Sequence, residues 1–114
     1  MEVFHRLILD PTMWKAISKD ITRFQDNVYL VKVNGDSMIG AGINDGDIVL
    51  VKESKEFKNG DIVLARTSDD TTIKRFIQEK DEVYLKPENP AYPNIYSTGD
   101  EIKMLGIVIS NLKQ

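Results

Sequence analysis

Hydrophobic and polar residues alternate in short runs along most of the chain after Asn27. The runs are rich in Val, Ile and Tyr and are separated by Gly, Asn, Asp and Pro, a pattern typical of β-strands joined by turns. Their spacing is near ten residues, with no helical pattern between them, so we expect a mainly β, compact antiparallel domain. The predicted strands are Val28–Val33, Asp47–Lys52, Asp61–Arg66, Thr71–Gln78, Glu82–Lys86 and Ile102–Ser110.

The beginning of the chain has a different pattern. Asp10 followed by Pro11 is a typical helix start, and apolar residues then recur at helical spacing, at Trp14, Ile17 and Ile21. We therefore predict a short N-terminal helix near Pro11–Ser18 whose apolar face covers the sheet. This divides the chain into an N-terminal flap and helix segment, residues 1–27, and a β domain, residues 28–114.

Composition narrows the class of protein. A chain of 114 residues with 41% hydrophobic content can bury one core, so we expect one folded domain. The absence of cysteine excludes disulfides and thiol nucleophiles and fits a cytoplasmic protein. No apolar run approaches the roughly 20 residues that span a bilayer, and the first ten residues do not resemble a signal peptide. Without such a run we expect no membrane contact, and the net charge of −3 gives no basic field, so we expect no direct DNA contact.

Candidate chemistry is concentrated in the stretch NGDSMIGAGINDGD, from Asn34 to Asp47, which surrounds Ser37 with Gly, Asn and Asp. This composition fits an ordinary turn, and it also fits a tight turn that presents a nucleophile. Asp36, Asp45 and Asp47 are better explained as turn and strand-start residues than as catalytic acids, because Asp readily bonds its own backbone. A base elsewhere in the chain is needed to decide about Ser37.

Two residue types could supply that base. The single histidine, His5, lies in the terminal segment, and we set it aside as a surface or flap residue. A desolvated lysine is the other candidate, and Lys74 lies inside TTIKRFI, where strand alternation places it on one face with Thr72 and Phe76. If this face is covered, Phe76 desolvates the amine. If the strand is an edge strand, Lys74 is a solvated charge that discourages aggregation, and the alternation leaves both possibilities open.

The motifs GDSM, GINDGDIVLV, NGDIVLA, TIKRF and PENPAYP follow one another in this order. Their order and spacing resemble the self-cleaving domain of LexA repressors and the related UmuD mutagenesis proteins, over about residues 28–109. The resemblance implies a dimeric, mostly β domain without a cofactor or metal, in which Ser37 is the nucleophile and Lys74 the general base. Gly35 and Asp36 would bend the chain so that Ser37 projects, and the Ser37 or Met38 N–H would face the developing oxyanion.

The resemblance leaves two functions open. The first is the peptidase half of a LexA-like repressor, switched by a RecA filament in the DNA-damage (SOS) response. The second is a non-cleaving, dimeric module like processed UmuD that regulates an error-prone DNA polymerase. Retention of Ser37 and Lys74 favours the first, and the short N-terminal segment favours the second. Signal peptidases also use serine and lysine, but the lack of a membrane segment makes this a more distant alternative.

The sequence departs from the family at the cleavage site. Members cut their own chain at an Ala-Gly or Cys-Gly bond upstream of the serine, whereas the only glycine among the first 36 residues is Gly35, preceded by Asn34. Ala41-Gly42 lies downstream, within the loop that shapes the site, and we regard it as coincidental. We therefore expect the chain either to be a processed or truncated domain or to be a short relative without the scissile bond.

Two structural expectations follow. The Ser37 hydroxyl and the Lys74 amine should lie within or slightly beyond hydrogen-bond distance. The last strand contains MLGIVIS, Met104 to Ser110, which is apolar on both faces and needs cover from its own fold or from a second copy. We expect a two-fold homodimer that uses this strand.

Overall fold

The computed structural model describes residues 21–67, 70–96 and 102–113. These residues form one antiparallel sheet of eight strands in the spatial order β1-β2-β3-β8-β4-β5-β6-β7. A short 3-10 helix, Ile39–Ala41, lies between β2 and β3. The strands are β1 (Ile21–Gln25), β2 (Val28–Lys32), β3 (Ile48–Glu53), β4 (Ile62–Arg66), β5 (Thr71–Glu79), β6 (Glu82–Lys86), β7 (Ile95–Tyr96) and β8 (Lys103–Asn111). No helix within these ranges is long and apolar enough to cross a membrane.

The six predicted strands are confirmed as β2–β6 and β8, with ends that differ by at most one residue. Strands β1 and β7 were not predicted. Ile21, which the sequence analysis placed at helical spacing, instead begins β1, and β1 pairs with β2 as part of the sheet. The predicted helix near residues 11–18 lies outside the described residues, as does His5.

The last strand lies at the centre of the sheet. Strand β8 pairs with β3 on one edge and with β4 on the other, so both of its edges are hydrogen-bonded within the chain. Of the two alternatives given by the sequence, cover by its own fold or by a second copy, its own fold therefore provides the pairing of both edges. The register of pairing with β8 shifts between Leu50 and Val51 in β3 and between Leu64 and Ala65 in β4. These shifts mark a bulge or irregularity on each side of β8. Bulges of this kind bend and twist a sheet.

Two hydrophobic clusters form the core, one on each face of β4. Leu64 belongs to the larger cluster, whereas Val63 and Ala65 belong to the smaller one, as expected because successive strand residues point to opposite faces. Strand β5 also contributes to both clusters, through Ile73 and Phe76. The serine-bearing stretch between β2 and β3 packs against the larger cluster, to which its residues Met38 and Ile43 belong.

Gly106 allows the close approach of β8 to β3. A methyl group added at Gly106 would lie 2.5 Å from the carbonyl oxygen of Lys52 and 2.8 Å from the Val51 side chain. Both distances are shorter than van der Waals contact, and the carbonyl belongs to backbone that pairs with β8, so the strands would have to separate.

We predict that Gly106→Ala lowers the free energy of unfolding by about 1–3 kcal/mol, the usual cost of overpacking a core. Urea unfolding followed by circular dichroism measures this change. Ser110→Ala in the same strand is the control, with an expected change within about 0.5 kcal/mol. Equal stability of the Gly106→Ala variant and the wild type would contradict the close approach.

Candidate active site

Ser37 and Lys74 are brought together by the fold although they lie far apart in the sequence. The Lys74 Nζ donates a hydrogen bond to Ser37 Oγ at 3.0 Å, the proximity that the sequence analysis expects. The same Nζ also donates to the Oγ1 of Thr72, which lies on the same face of β5. The amine therefore has two hydroxyl neighbours and no carboxylate partner among the ion pairs of the described residues.

The surroundings of Lys74 are unusual for a lysine. Only 7% of the residue is exposed, and burial lowers the pKa of its amine, while the charge of Asp70 raises this pKa to a smaller extent. Strand β5 lies between β4 and β6, so the alternative of a solvated lysine on an edge strand is wrong. Phe76, equally buried on the same face, belongs to the smaller core cluster, as the covered-face alternative requires.

The turn before Ser37 depends on a glycine. Gly35 has a φ of +98°, a conformation that glycine adopts without the steric strain of a side chain. Its N–H donates to the Asp45 carboxylate at 2.7 Å, which links the start of the turn to the end of the loop. Asp45 therefore acts as a turn residue, as predicted.

Met38 fixes the other side of Ser37. Its side chain is 2% exposed and belongs to the larger core cluster, and its carbonyl accepts hydrogen bonds from the N–H groups of Ala41 and Ile43. The sequence indicates a role only for the N–H of Met38, and no local pattern reveals this anchoring role of the side chain. Within the described part of the chain, the N–H groups of Ser37 and Met38 donate no hydrogen bond.

The Pro-rich stretch Pro87–Pro93 packs directly on the serine turn. Gly40 donates its N–H to the Glu88 carbonyl at 2.8 Å, and a Cβ at Gly40 would lie only 2.5 Å from that oxygen. The Asn89 side-chain amide donates to the Asp36 carbonyl at 2.9 Å. The sequence alone does not assign these residues to the site, because nothing in one chain segment reveals which other segment it will contact.

A salt bridge links this Pro-rich loop to the strand that carries the lysine. Arg75, the residue after Lys74, donates its Nε to the Glu88 carboxylate at 2.6 Å, and both side chains are less than one-third exposed. Its Nη1 donates to the carbonyl of Gly60 in the turn before β4. Because Glu88 also contacts Met38 and Gly40 through its backbone, the ion pair connects β5 to the serine turn.

Ser37 and Lys74 line a cleft of about 270 Å³. Its walls come from the end of β2, the serine turn and the start of β5, and Tyr92 closes one side. Within the described ranges, no group of three or more His, Asp or Glu side chains is arranged to hold a metal ion.

Comparison with known proteins agrees with this geometry. The model of the family described as Peptidase S24-like matches residues 9–109. The chain belongs to the S24-like peptidases. The LexA/UmuD resemblance read from the motifs is thereby confirmed at the level of the family.

Several similar S24-like proteins are LexA repressors. The repressor of Desulfitobacterium hafniense (strain Y51) is 46% identical over 84 residues, which cover 74% of this chain and 40% of the relative. The repressor of Clostridium acetobutylicum is 40% identical over 94 residues, which cover 81% of this chain and 46% of the relative. The repressor of Geobacillus sp. (strain WCH70) is 49% identical over 74 residues, which cover 64% of this chain and 36% of the relative. This chain therefore matches less than half the length of these curated relatives.

The far end of the serine-bearing loop of this S24-like domain is held by Asp47. This carboxylate is 4% exposed and accepts hydrogen bonds from the Asn44 N–H at 2.8 Å and the Asn111 side chain at 3.0 Å, with Lys113 Nζ at 3.5 Å. These contacts lower the pKa of Asp47, with the Asn44 N–H contributing most, and outweigh the opposing effect of burial. Asn111 and Lys113 also donate to the Gly42 carbonyl, so the C-terminal tail is tied to the loop.

We predict that Asp47→Asn lowers the urea midpoint at neutral pH and that the difference from the wild type shrinks in acid. A carboxyl whose pKa is lowered by folding stabilises the protein above its ordinary value of 3.8, and this contribution is lost as the pH falls through the lowered value. Urea midpoints measured for both proteins across this range check the prediction. Asp81→Asn, at an exposed β5–β6 turn position, is the control. A difference in urea midpoint between Asp47→Asn and the wild type that stays the same at every pH would contradict the prediction.

Proposed function

We propose that this chain is the serine-lysine peptidase domain of a LexA-like repressor and that its activity is self-cleavage. Ser37 is the nucleophile and Lys74 the general base. The observation that carries this proposal is the 3.0 Å contact between the Ser37 hydroxyl and an amine that is almost fully buried. A buried lysine with a lowered pKa is the type of group that can accept a proton from serine near neutral pH.

The mechanism follows from these positions. A neutral Lys74 accepts the proton of Ser37 as Oγ attacks the carbonyl carbon of the scissile peptide bond. The N–H groups of Ser37 and Met38, which have no acceptor within the described residues, supply donors for the negative charge that develops on the carbonyl oxygen. Lys74 then passes the proton to the leaving amine, and water hydrolyses the acyl-enzyme with Lys74 again acting as base.

The turn residues have supporting roles in this proposal. Gly35 supplies the backbone conformation that turns the chain towards the cleft, and Asp36 is held on two sides by the Pro-rich loop. Both keep Ser37 directed at Lys74. No metal or cofactor takes part in these steps.

The physiological setting is also a proposal, since this chain covers only part of its relatives. We infer a regulatory role in a DNA-damage response, with cleavage switched by a RecA filament, from the resemblance and from the repressor names of the relatives. A processed UmuD-like module that regulates an error-prone polymerase is the alternative. This alternative predicts binding to a polymerase and no cleavage, so the cleavage assay below distinguishes the two.

We predict that the chain cleaves a supplied peptide with an Ala-Gly bond and that the rate rises from mildly acidic to alkaline pH. The rise follows the fraction of neutral Lys74 and levels off once the amine is fully deprotonated. Ser37→Ala should abolish cleavage without unfolding the domain, and Lys74→Ala should reduce the rate by about a thousandfold or more. Rates are measured by chromatography of the products.

Lys86→Ala, which removes an exposed amine from the neighbouring strand β6, is the control for this experiment and should retain wild-type rates. Cleavage by Lys74→Ala with the wild-type pH profile would mean that another group takes the proton. The proposed mechanism would then be wrong.

We also propose a two-fold homodimer formed through β8 and the tail after it. The sheet covers the edges of β8, but Ile109 and Leu112 each remain 53% exposed. Neighbouring exposed apolar side chains on a terminal strand are typical of an interface between copies. The dimer implied by the resemblance would use this surface.

We predict a dimer in sedimentation at high micromolar concentration and a monomer for Ile109→Asp, because a buried and unpaired carboxylate opposes association. Phe24→Asp introduces the same charge at another exposed apolar position, in β1, and should leave the dimer intact. A wild-type protein that sediments only as a monomer would refute the interface.

A further inference from the structure

Tyr92 makes a contact that the proposed mechanism does not use. Its hydroxyl donates a hydrogen bond to the carboxylate of Asp36, the residue directly before Ser37, and it lines the same cleft as Lys74. The two residues are 56 positions apart in the sequence, so this contact joins separate segments at the nucleophile.

The segment that carries Tyr92 is held in shape by hydrogen bonds within the segment itself. Its own N–H donates to the Asn89 carbonyl at 3.0 Å, and the Asn89 side-chain oxygen accepts the Ala91 N–H at 2.9 Å. The prolines at positions 87, 90 and 93 each fix one backbone angle. A hydroxyl presented by such a constrained turn loses little conformational entropy when it forms a hydrogen bond.

The same segment holds the chain on both sides of Ser37. Before the serine, the Asn89 amide binds the Asp36 carbonyl while Tyr92 binds the Asp36 carboxylate. After the serine, the Glu88 N–H contacts the Met38 sulfur at 3.4 Å. Each flanking residue is therefore held by the Pro-rich loop.

We infer that Tyr92 is a positioning residue for the nucleophile. Its hydroxyl holds Asp36 so that the Ser37 hydroxyl stays within reach of Lys74, and its ring forms a wall of the cleft that receives the substrate peptide. The inference rests on the proposed function, because it assigns the hydroxyl a task in the reaction of Ser37.

The chemistry of the phenol suits this task. The hydrogen bond to Asp36, together with the negative charge of that carboxylate, raises the pKa of Tyr92. The hydroxyl therefore keeps its proton to a higher pH than an ordinary tyrosine does, and the protonated hydroxyl is the form that donates the hydrogen bond to Asp36.

The test compares Tyr92→Phe, which removes the hydroxyl and keeps the ring, with Tyr96→Phe at a similarly exposed tyrosine. The first readout is labelling of Ser37 by a small fluorophosphonate. In this reaction a bond forms between Oγ and phosphorus, fluoride leaves, and Lys74 accepts the serine proton. The second readout is kcat and KM for the Ala-Gly peptide.

For Tyr92→Phe we expect the rate of Ser37 labelling and kcat each to fall about five- to tenfold, the loss that corresponds to one hydrogen bond. KM should stay unchanged, because the ring still lines the cleft. Tyr96→Phe should match the wild type in both assays. The urea midpoint of Tyr92→Phe should stay high enough that the variant is fully folded in both assays, which separates a positioning role from a general loss of stability.

A double-mutant cycle tests whether Tyr92 acts through Asp36. In an Asp36→Ala background the acceptor is already absent, so adding Tyr92→Phe should slow labelling by less than about twofold. A full additional loss in that background would overturn the inference. The inference would also be overturned by wild-type labelling in Tyr92→Phe, by an equal loss in Tyr96→Phe, or by a fall in urea midpoint that accounts for the slower rate.

The proposed function and this inference fail in distinguishable ways. A wild-type protein that is not labelled at Ser37, as judged against Ser37→Ala, would refute the proposed function and the inference with it. A wild-type protein that is labelled, together with a Tyr92→Phe variant that is labelled equally fast, would refute only the positioning role.

Discussion

The contact between the buried amine of Lys74 and the hydroxyl of Ser37 is the constraint on which the site depends. Burial of a lysine is unfavourable unless the amine loses its proton or finds polar partners, and here the partners are two hydroxyl groups, which do not compensate a positive charge as a carboxylate would. The pKa of Lys74 is therefore lowered, with burial as the main cause. This environment requires that β5 be an interior strand and that the serine turn lie against it.

A ring of contacts through the Pro-rich loop links the Lys74 amine to the Ser37 hydroxyl. Lys74 is followed in β5 by Arg75, whose guanidinium binds the Glu88 carboxylate in the Pro-rich loop. The backbone of Glu88 contacts the Met38 sulfur and the Gly40 N–H on the far side of Ser37, and Ser37 in turn contacts Lys74. An exposed ion pair contributes little to stability, but this pair is mostly buried, and its Arg75 directly follows Lys74. The ion pair connects β5 to the Pro-rich loop, which in turn contacts the serine turn.

The sequence alone predicts the strands well because each reads as a local pattern, and six of the eight in the described part of the chain are predicted to within one residue. It misses β1, where Ile21 fits both a helical spacing and a strand, and β7, which is only two residues long. For the site, the motifs identify Ser37 and Lys74 as candidates, whereas alternation alone leaves the burial of Lys74 undecided. The anchoring by Met38 and the contacts of the Pro-rich loop depend on packing between distant segments, which no local pattern encodes.

The buried lysine also links the stability of the domain to its proposed chemistry. Because folding lowers the pKa of Lys74, the contribution of this residue to stability is greatest above its ordinary pKa of 10.5 and declines as the pH falls towards the lowered value. The neutral amine is thus both the form that the fold prefers and the form that can accept the serine proton. The unfavourable contribution of the protonated form must be offset elsewhere, and the paired edges of β8 and the two packed clusters on either face of β4 provide stabilisation that does not depend on this titration. Lys74 can be kept buried because its strand, β5, is paired with β4 on one side and with β6 on the other.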